Sequence, residues 1–413
     1  MERPASTAPP SQHRRERRDF RLFWWANAAD GLGTQASGAV LPLLLLGLGN
    51  SPQVVGLIAG ASTAVGLLLA PLVAVPADRG ARKRVMIGSA TVSALAMGCV
   101  TLALASDAPP LALILTAVLV ERFATACFDA ASRGTVALVC PGREQPRAIA
   151  RLAAADQGAM IVGPALGGVL YQAARALPFL ADALSYVVTA VCVRAMRADL
   201  TTPTPPVRAG GLLRESAAGL RLVRSSPLLR LVLVWSATVN VVVVALYYGA
   251  VFTLQRGGHG GALLGVVLAV SGAAGLAGAL AAPRVAGRVG APYLVTGVTW
   301  LLVPLTAALA TAAGPWAYGV LFSLVCLLMP LASVVLQARA LQVTAPALQA
   351  RTGAVLATAT TGAAALAPVL AGALADRVSP AAPALVCGVT LALLAAHTSR
   401  RSVRGTLTEA VAG

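Results

Sequence analysis

The sequence predicts an all-α membrane protein with twelve transmembrane helices arranged as two parallel-repeat six-helix bundles. Three observations carry this. The chain of 413 residues is 57% hydrophobic and only 11% charged, with a mean hydropathy of +0.78, far from the balance of an ordinary soluble domain. Apolar runs of about 20 residues recur from Leu22 to His397, each long enough to cross ~30 Å of hydrocarbon as a helix. The basic residues also sort by side. With the N-terminus in the cytoplasm, 28 of the 32 Lys and Arg fall on inward segments, where such residues accumulate beside membrane spans.

The spans are expected near 22–47, 54–77, 85–106, 111–132, 148–171, 178–196, 228–254, 263–282, 292–312, 316–337, 352–374 and 381–398. An even number returns both termini to the cytoplasmic face. Outward loops hold only Arg175, Arg256 and Arg377, and Arg122 falls inside a span. The first 21 residues form a basic cytoplasmic tail, Pro-, Ser- and Arg-rich and expected to be disordered. The first bundle covers 22–196, a cytoplasmic linker 197–227, the second bundle 228–398, and a short tail 399–413.

The net charge of +17 is spread over short loops between spans, so it points to anionic lipid headgroups of the bilayer rather than to nucleic acid. Arg17-Arg18-Asp19-Phe20 has the look of a twin-arginine export signal. The apolar stretch behind it is too long for a signal core, so it reads as a retained first helix. Lys83 is the only Lys, and Ala abounds. That composition suggests a GC-rich bacterial genome and a bacterial plasma membrane. None of the six Cys has metal-ligand spacing, and they read as small apolar packing residues. No cofactor or metal site is expected.

An internal repeat supports the division into halves. At an offset of 204, Arg147, Gly158, Pro164 and Gly168 match Arg351, Gly362, Pro368 and Gly372, and 11 of the 24 positions in 147–170 are identical to 351–374. Both copies open a helix after a basic loop, so the repeat is parallel. Two six-helix halves with a binding site between them form a known transporter plan.

Four local patterns then resemble one family, the major facilitator superfamily, and the likeness covers nearly the whole chain. Ala74-Val75-Pro76-Ala77-Asp78-Arg79-Gly80-Ala81-Arg82-Lys83 resembles its loop signature G-x-x-x-D-R-x-G-R-K, with Ala at both outer glycines. Arg122 resembles its membrane-embedded arginine. Gly158 with Gly163-Pro164-Ala165-Leu166-Gly167-Gly168 is similar to the glycine-proline motif of its exporter branches. Phe179-Leu180-Ala181-Asp182-Ala183-Leu184-Ser185-Tyr186 is similar to the start of the sixth span in its drug and siderophore exporters. The resemblance implies the major facilitator fold, a cavity lined by the first, fourth, seventh and tenth helices, and drug:proton antiport. It also implies a cytoplasmic gate built from Asp78, Arg79, Arg82 and Asp129.

Five acids stand within spans, Asp30, Glu121, Asp129, Asp156 and Asp182, all in the first half. A charge at mid-bilayer costs roughly 2.5–3.5 kcal/mol on insertion scales, so such residues serve a function or hold a partner. Asp30 and Arg122 sit at similar depths, roughly 12 Å in at 1.5 Å per residue, and on this family's plan they face each other. Asp30 is either a proton carrier and substrate contact or one side of a helix-pairing ion pair. Arg122, always charged, is suited to bidentate carboxylate contacts. Glu121 is either a second proton site or faces a neighbouring helix. Asp156 is either a cavity-edge group or the buried partner of a helix-end Arg. Asp182, four residues from the outer end, is expected at the interface in a structural role. Asn240, near mid-membrane in the seventh span, is either a cavity group or an interhelical tie. Pro164 is expected to kink its helix, with the glycines around it allowing close packing.

The expected function is proton-coupled efflux of a small amphipathic molecule (a drug, antibiotic or secondary metabolite) by a monomeric transporter. No G-x-x-x-x-G-K-[ST] loop occurs, so ATP is not the direct energy source. An importer or proton symporter of the same fold is the alternative, and a transport-dead sensor is a different class. An intramembrane enzyme lacks its motifs, since neither H-E-x-x-H nor a Ser/His pairing occurs. Single cysteines placed in the 197–227 connector are expected to react with an impermeant maleimide only in inside-out vesicles; labelling in right-side-out vesicles contradicts this topology.

Overall fold

A computed structural model of the chain describes residues 10–76, 81–106, 109–140, 144–200, 220–256, 261–312 and 314–400. They are helical apart from short turns, and no strand occurs among them. The helices are α1 (Pro10–Gly47), α2 (Pro52–Pro76), α3 (Arg82–Ala103), α4 (Leu111–Val139), α5 (Gln145–Ala173) and α6 (Leu177–Ala195). The second half continues with α7 (Pro227–Arg256), α8 (Gly261–Val289), α9 (Ala291–Ala310), α10 (Pro315–Val343), α11 (Pro346–Ala364), α12 (Ala367–Arg377) and α13 (Ala382–Thr398). Proline stands first or second in most of them, where its missing N–H costs nothing and its fixed φ starts the helix. Eight stretches are long and apolar enough to cross a membrane by length and composition, and shorter apolar helices lie at 52–68 and 382–398. The chain is an all-α, multi-pass membrane protein.

Two expectations about the helices are corrected. Residues 10–21 are not a disordered tail but the first turns of α1. Gln, Arg and Glu are good helix formers. The segment is also anchored, since both carboxylate oxygens of Asp19 accept the backbone N–H of Arg197 at 3.1 Å and Asp19 is buried. The span at 352–374 is two helices, broken at Ala365–Leu366. Pro368 has no N–H to give the turn before it, so the helix restarts there. The matching Pro164 sits inside an unbroken α5. One repeat thus tolerates a proline that interrupts the other.

Several helices overrun the expected spans at the Arg-rich end. Each of α4, α5, α8 and α10 has 29 residues, about 43 Å at 1.5 Å per residue against ~30 Å of hydrocarbon. At the other end of α1 the chain stops sharply. Gly49 takes φ 86°, with Gly49 N–H bonded to Leu46 O at 3.0 Å and Asn50 N–H to Leu45 O at 3.2 Å. This is a Schellman closure, which needs a left-handed residue.

The chain divides into two compact units, Met1–Ala39 with Leu68–Pro206, and Val40–Leu67 with Val207–Gly413. In the first, α3 packs on α4 and on α6. In the second, α9 packs on α10 and on α13. These are the third–fourth and third–sixth pairs of each half, so the sequence repeat is a packing repeat. Phe20, Phe23, Met86, Phe128, Val193 and Met196 are the large side chains of one core cluster in the first unit. In the second, the fully buried Trp235 donates its indole N–H to Thr299 Oγ1 at 3.0 Å.

Small residues set the closest approaches. A Cβ at Gly163 or Gly167 of α5 would strike α1 at Gln35 and Ala36. In the second unit, Gly56 and Gly60 of α2 meet the Pro368 and Ala365 carbonyls, and Gly372 of α12 meets that of Pro52. Arg377 Nε donates to Gln53 Oε1 beside this contact at 3.1 Å. Gly158, by contrast, faces open space. Gly167→Leu is therefore expected to lower the thermal midpoint of the detergent-purified protein, with an overpacking cost of about 1–3 kcal/mol. Gly158→Ala is expected to leave that midpoint unchanged.

Candidate functional site

The first unit holds a polar network inside otherwise apolar helices. It is built from pairs one helical turn apart, which share a face: Thr34 and Ser37 on α1, Glu121 and Thr125 on α4, Asp182 and Tyr186 on α6. Glu121 is buried, 3% exposed. Its Oε1 accepts the Tyr186 hydroxyl at 2.7 Å and the Thr125 hydroxyl at 2.9 Å. Its Oε2 lies 3.5 Å from Arg122 Nε. The Tyr186 oxygen is also 2.9 Å from Thr34 Oγ1. Because Tyr186 gives its only proton to Glu121, Thr34 is the donor in that contact.

Asp182 forms the second centre of the network and is fully buried. Ser37 Oγ donates to its Oδ2 at 2.6 Å. Gly33 makes this approach of α1 to α6 possible, because a Cβ there would overlap both Ser185 and Asp182. Thr189 adds a further tie between the same helices, donating to Ala26 O at 3.0 Å. The interfacial depth expected of Asp182 is joined by complete burial within the protein. Counting from the helix end gives depth, but burial is decided by the neighbouring α1 face.

The other expected residues land differently. Asp30 is 9% exposed and makes no hydrogen bond or ion pair among the described residues. The ion pair that was one of the two alternatives for Asp30 is not formed, and Arg122 Nε lies 3.5 Å from Glu121 Oε2. The charges within electrostatic reach of Asp30 are acidic: Asp129, Asp182, Glu121 and Asp156. Asp156 has no ion pair among the described residues, so it is not a buried partner of a helix-end Arg. Asn240 is exposed on α7 and makes no side-chain hydrogen bond among the described residues, which removes the interhelical tie. Arg82 is buried at the start of α3 and Asp129 is exposed toward the C-terminal end of α4. Asp78 and Arg79 lie outside the described residues. A cavity of about 290 Å³ in the second unit, lined by Leu246, Gly249, Thr253 and Tyr318, touches none of the expected site residues.

Comparison with known proteins supplies the family. The sequence profile of the Major Facilitator Superfamily matches residues 23–368. The chain belongs to the Major Facilitator Superfamily. A search of curated proteins finds no match. Among solved structures, a bacterial homologue of the human lysosomal transporter Spinster, inward-facing and unoccupied, aligns over 98% of this chain and 99% of its own at 12% identity and TM-score 0.75. A bacterial homologue of the iron transporter ferroportin, also inward-facing, aligns over 93% and 99% at 14% identity and TM-score 0.73. The nucleoside transporter NupG aligns over 93% and 98% at 13% identity and TM-score 0.67. At these identities the likeness is one of fold.

The buried acid and hydroxyl cluster of the first unit draws on α1, α4 and α6, not on α1 and α4 alone. The glycine-proline motif contributes by bringing α5 against α1 at Gly163 and Gly167. Sequence reasoning missed Thr34, Ser37 and Tyr186 and undervalued Asp182. Their signal was the one-turn spacing of polar groups in helices with no other use for them. Tyr186→Phe keeps the ring and removes the donor to Glu121. It is expected to destabilise the nanodisc-embedded protein by about 1–3 kcal/mol, read as a lower thermal midpoint. Tyr186→Phe in a Glu121→Gln background is expected to cost less than in the wild type.

Proposed function

We propose that this transporter exports a small amphipathic molecule in exchange for protons, in the manner of the drug:proton antiporters of its superfamily, by alternating access. The observation that carries the reading is the buried acid and hydroxyl cluster of α1, α4 and α6. Carboxyls in such a place bind and release protons, and the glycine-proline motif of α5 is similar to that of exporter branches. Asp30 contributes as the cavity acid without a partner among the described residues, Glu121 as the principal proton site, and Arg122 as the cation whose hold on Glu121 changes with state. Asn240 serves as a cargo contact from the second half. Asp78, Arg79, Arg82 and Asp129 act as the cytoplasmic gate, a few ion pairs biasing one of two states. The chain works as a monomer in a bacterial plasma membrane, with both termini and the 197–227 connector in the cytoplasm.

Inside-out vesicles with an acidic lumen test this reading. They are expected to accumulate dyes from a panel of cationic and neutral amphipathic compounds. Asp30→Asn and Glu121→Gln are expected to cut that pH-driven uptake about tenfold or more at equal protein level. Uptake only with an alkaline lumen would identify a symporter instead. Fully pH-driven uptake by both variants would remove the acids from the mechanism.

A further inference from the structure

Asp182 is a buried acid to which the proposed exchange assigns no task. Its surroundings fit more than a structural tie. It is 0% exposed, and no Arg or Lys comes within salt-bridge distance of it among the described residues. An ionised carboxylate offers about four lone-pair positions. Here one hydroxyl, Ser37 Oγ at 2.6 Å, fills one of them firmly. Ser185 Oγ lies 3.4 Å from Oδ1 but gives its proton to the Asp182 carbonyl at 2.8 Å. The Ser185 oxygen is therefore free to accept, and it sits within reach of the O–H of a neutral Asp182. The site provides a donor for the ion and an acceptor for the acid.

The charged groups nearest it come from α1 and α4. From α1 comes Asp30, and from α4 come Glu121 and Arg122. Arg122 is already drawn to Glu121 at 3.5 Å. Tyr186 shares the α6 face one turn on. Of the helices packed on α6, α3 carries Arg82, Lys83 and Arg84 at its inner start, where Lys83 Nζ donates to Met196 O at 2.6 Å. On α5 stands Asp156.

A run of hydrogen bonds leads from Glu121 to Thr34, one turn of α1 from the Ser37 that holds Asp182. From Glu121 Oε1 it runs 2.7 Å to the Tyr186 hydroxyl and 2.9 Å on to Thr34 Oγ1. Thr34 and Ser37 share one turn of α1, with Ser37 Oγ 3.4 Å from Thr34 O and 2.6 Å from Asp182 Oδ2. We propose that Asp182 is a second proton-exchanging carboxyl, coupled to Glu121 through Tyr186 and the Thr34–Ser37 turn of α1. When Glu121 takes up a proton, its new O–H donates to the Tyr186 oxygen. Tyr186 then turns its own proton to Thr34, and the Thr34 proton turns away. Only hydrogen bonds change partners; each added proton sits on one carboxyl oxygen and leaves from it. The α1 turn that holds Ser37 against Asp182 is thereby sensitive to the load on Glu121. This inference rests on the proton-exchange reading above and deepens it.

The full-length protein in lipid nanodiscs, without cargo, allows a direct test. Infrared difference spectra between pH values report the C=O stretch of each carboxyl that gains a proton. Asp182→Asn is expected to delete one such band and Glu121→Gln another, and Tyr186→Phe to shift both. Ser37→Ala is expected to keep the Asp182 band but move its frequency, since its hydrogen bond is gone. A folded Asp182→Asn protein with the wild-type set of bands overturns the proposal. If that variant does not fold, a Ser37→Ala spectrum identical to wild type overturns it. An intact Asp182 band in a protein with no pH-driven dye uptake upholds the proton site and contradicts only the export reading.

Discussion

A carboxylate inside a membrane bundle must find its hydrogen bonds within the bundle, because lipid offers none. Glu121 meets that condition through groups from two helices, the Tyr186 and Thr125 hydroxyls and the Arg122 guanidinium. The rest of the site follows from this. Tyr186 must stand one turn from Asp182 on α6, so both acids are drawn to the same α1 face. Gly33 must lack a Cβ for that face to approach. From that face Thr34 donates to the Tyr186 oxygen and Ser37 to Asp182. Six polar side chains on three helices are gathered on one shared face.

The second half is different in kind. Its spans carry no acid in the bilayer interior, and its buried polar side chains are single groups such as Thr299 against Trp235 or Tyr318, which donates to Leu246 O at 2.8 Å. The two halves repeat in packing, through the neighbours of α3 and α9, while only one has the chemistry of a charged interior. The proline of the fifth and eleventh spans marks the same divergence. It is absorbed within α5, but it separates α11 from α12, next to the glycines where α12 meets α2. A continuous helix and an interrupted one are built on one repeated pattern.

The fold was legible in the sequence because its determinants are one-dimensional. Apolar run length and the side on which Arg accumulates need no tertiary information. The inner overruns of α4, α5, α8 and α10 were missed, since hydropathy marks the hydrocarbon and not the helix that continues beyond it. Of the site, Glu121 and Arg122 stand out in the sequence as charges in an apolar span, but spacing does not show that the two side chains meet. A long guanidinium arm reaches its own neighbour across the roughly 100° between adjacent helix positions. The burial of Asp182 was not legible, because distance from a helix end says nothing about which face a neighbour covers. Asp30 was found, and its standing apart from the hydrogen-bonded network is a tertiary fact no spacing reveals.

The central claim is that the α1–α4–α6 network carries a proton that cargo displaces. Adding an amphipathic dye to the purified protein in weakly buffered solution, with a pH indicator present, measures this without a membrane gradient. The account expects dye binding to release protons, and Glu121→Gln to bind dye with markedly less release. Dye binding that releases no protons, in wild type and variant alike, would contradict it.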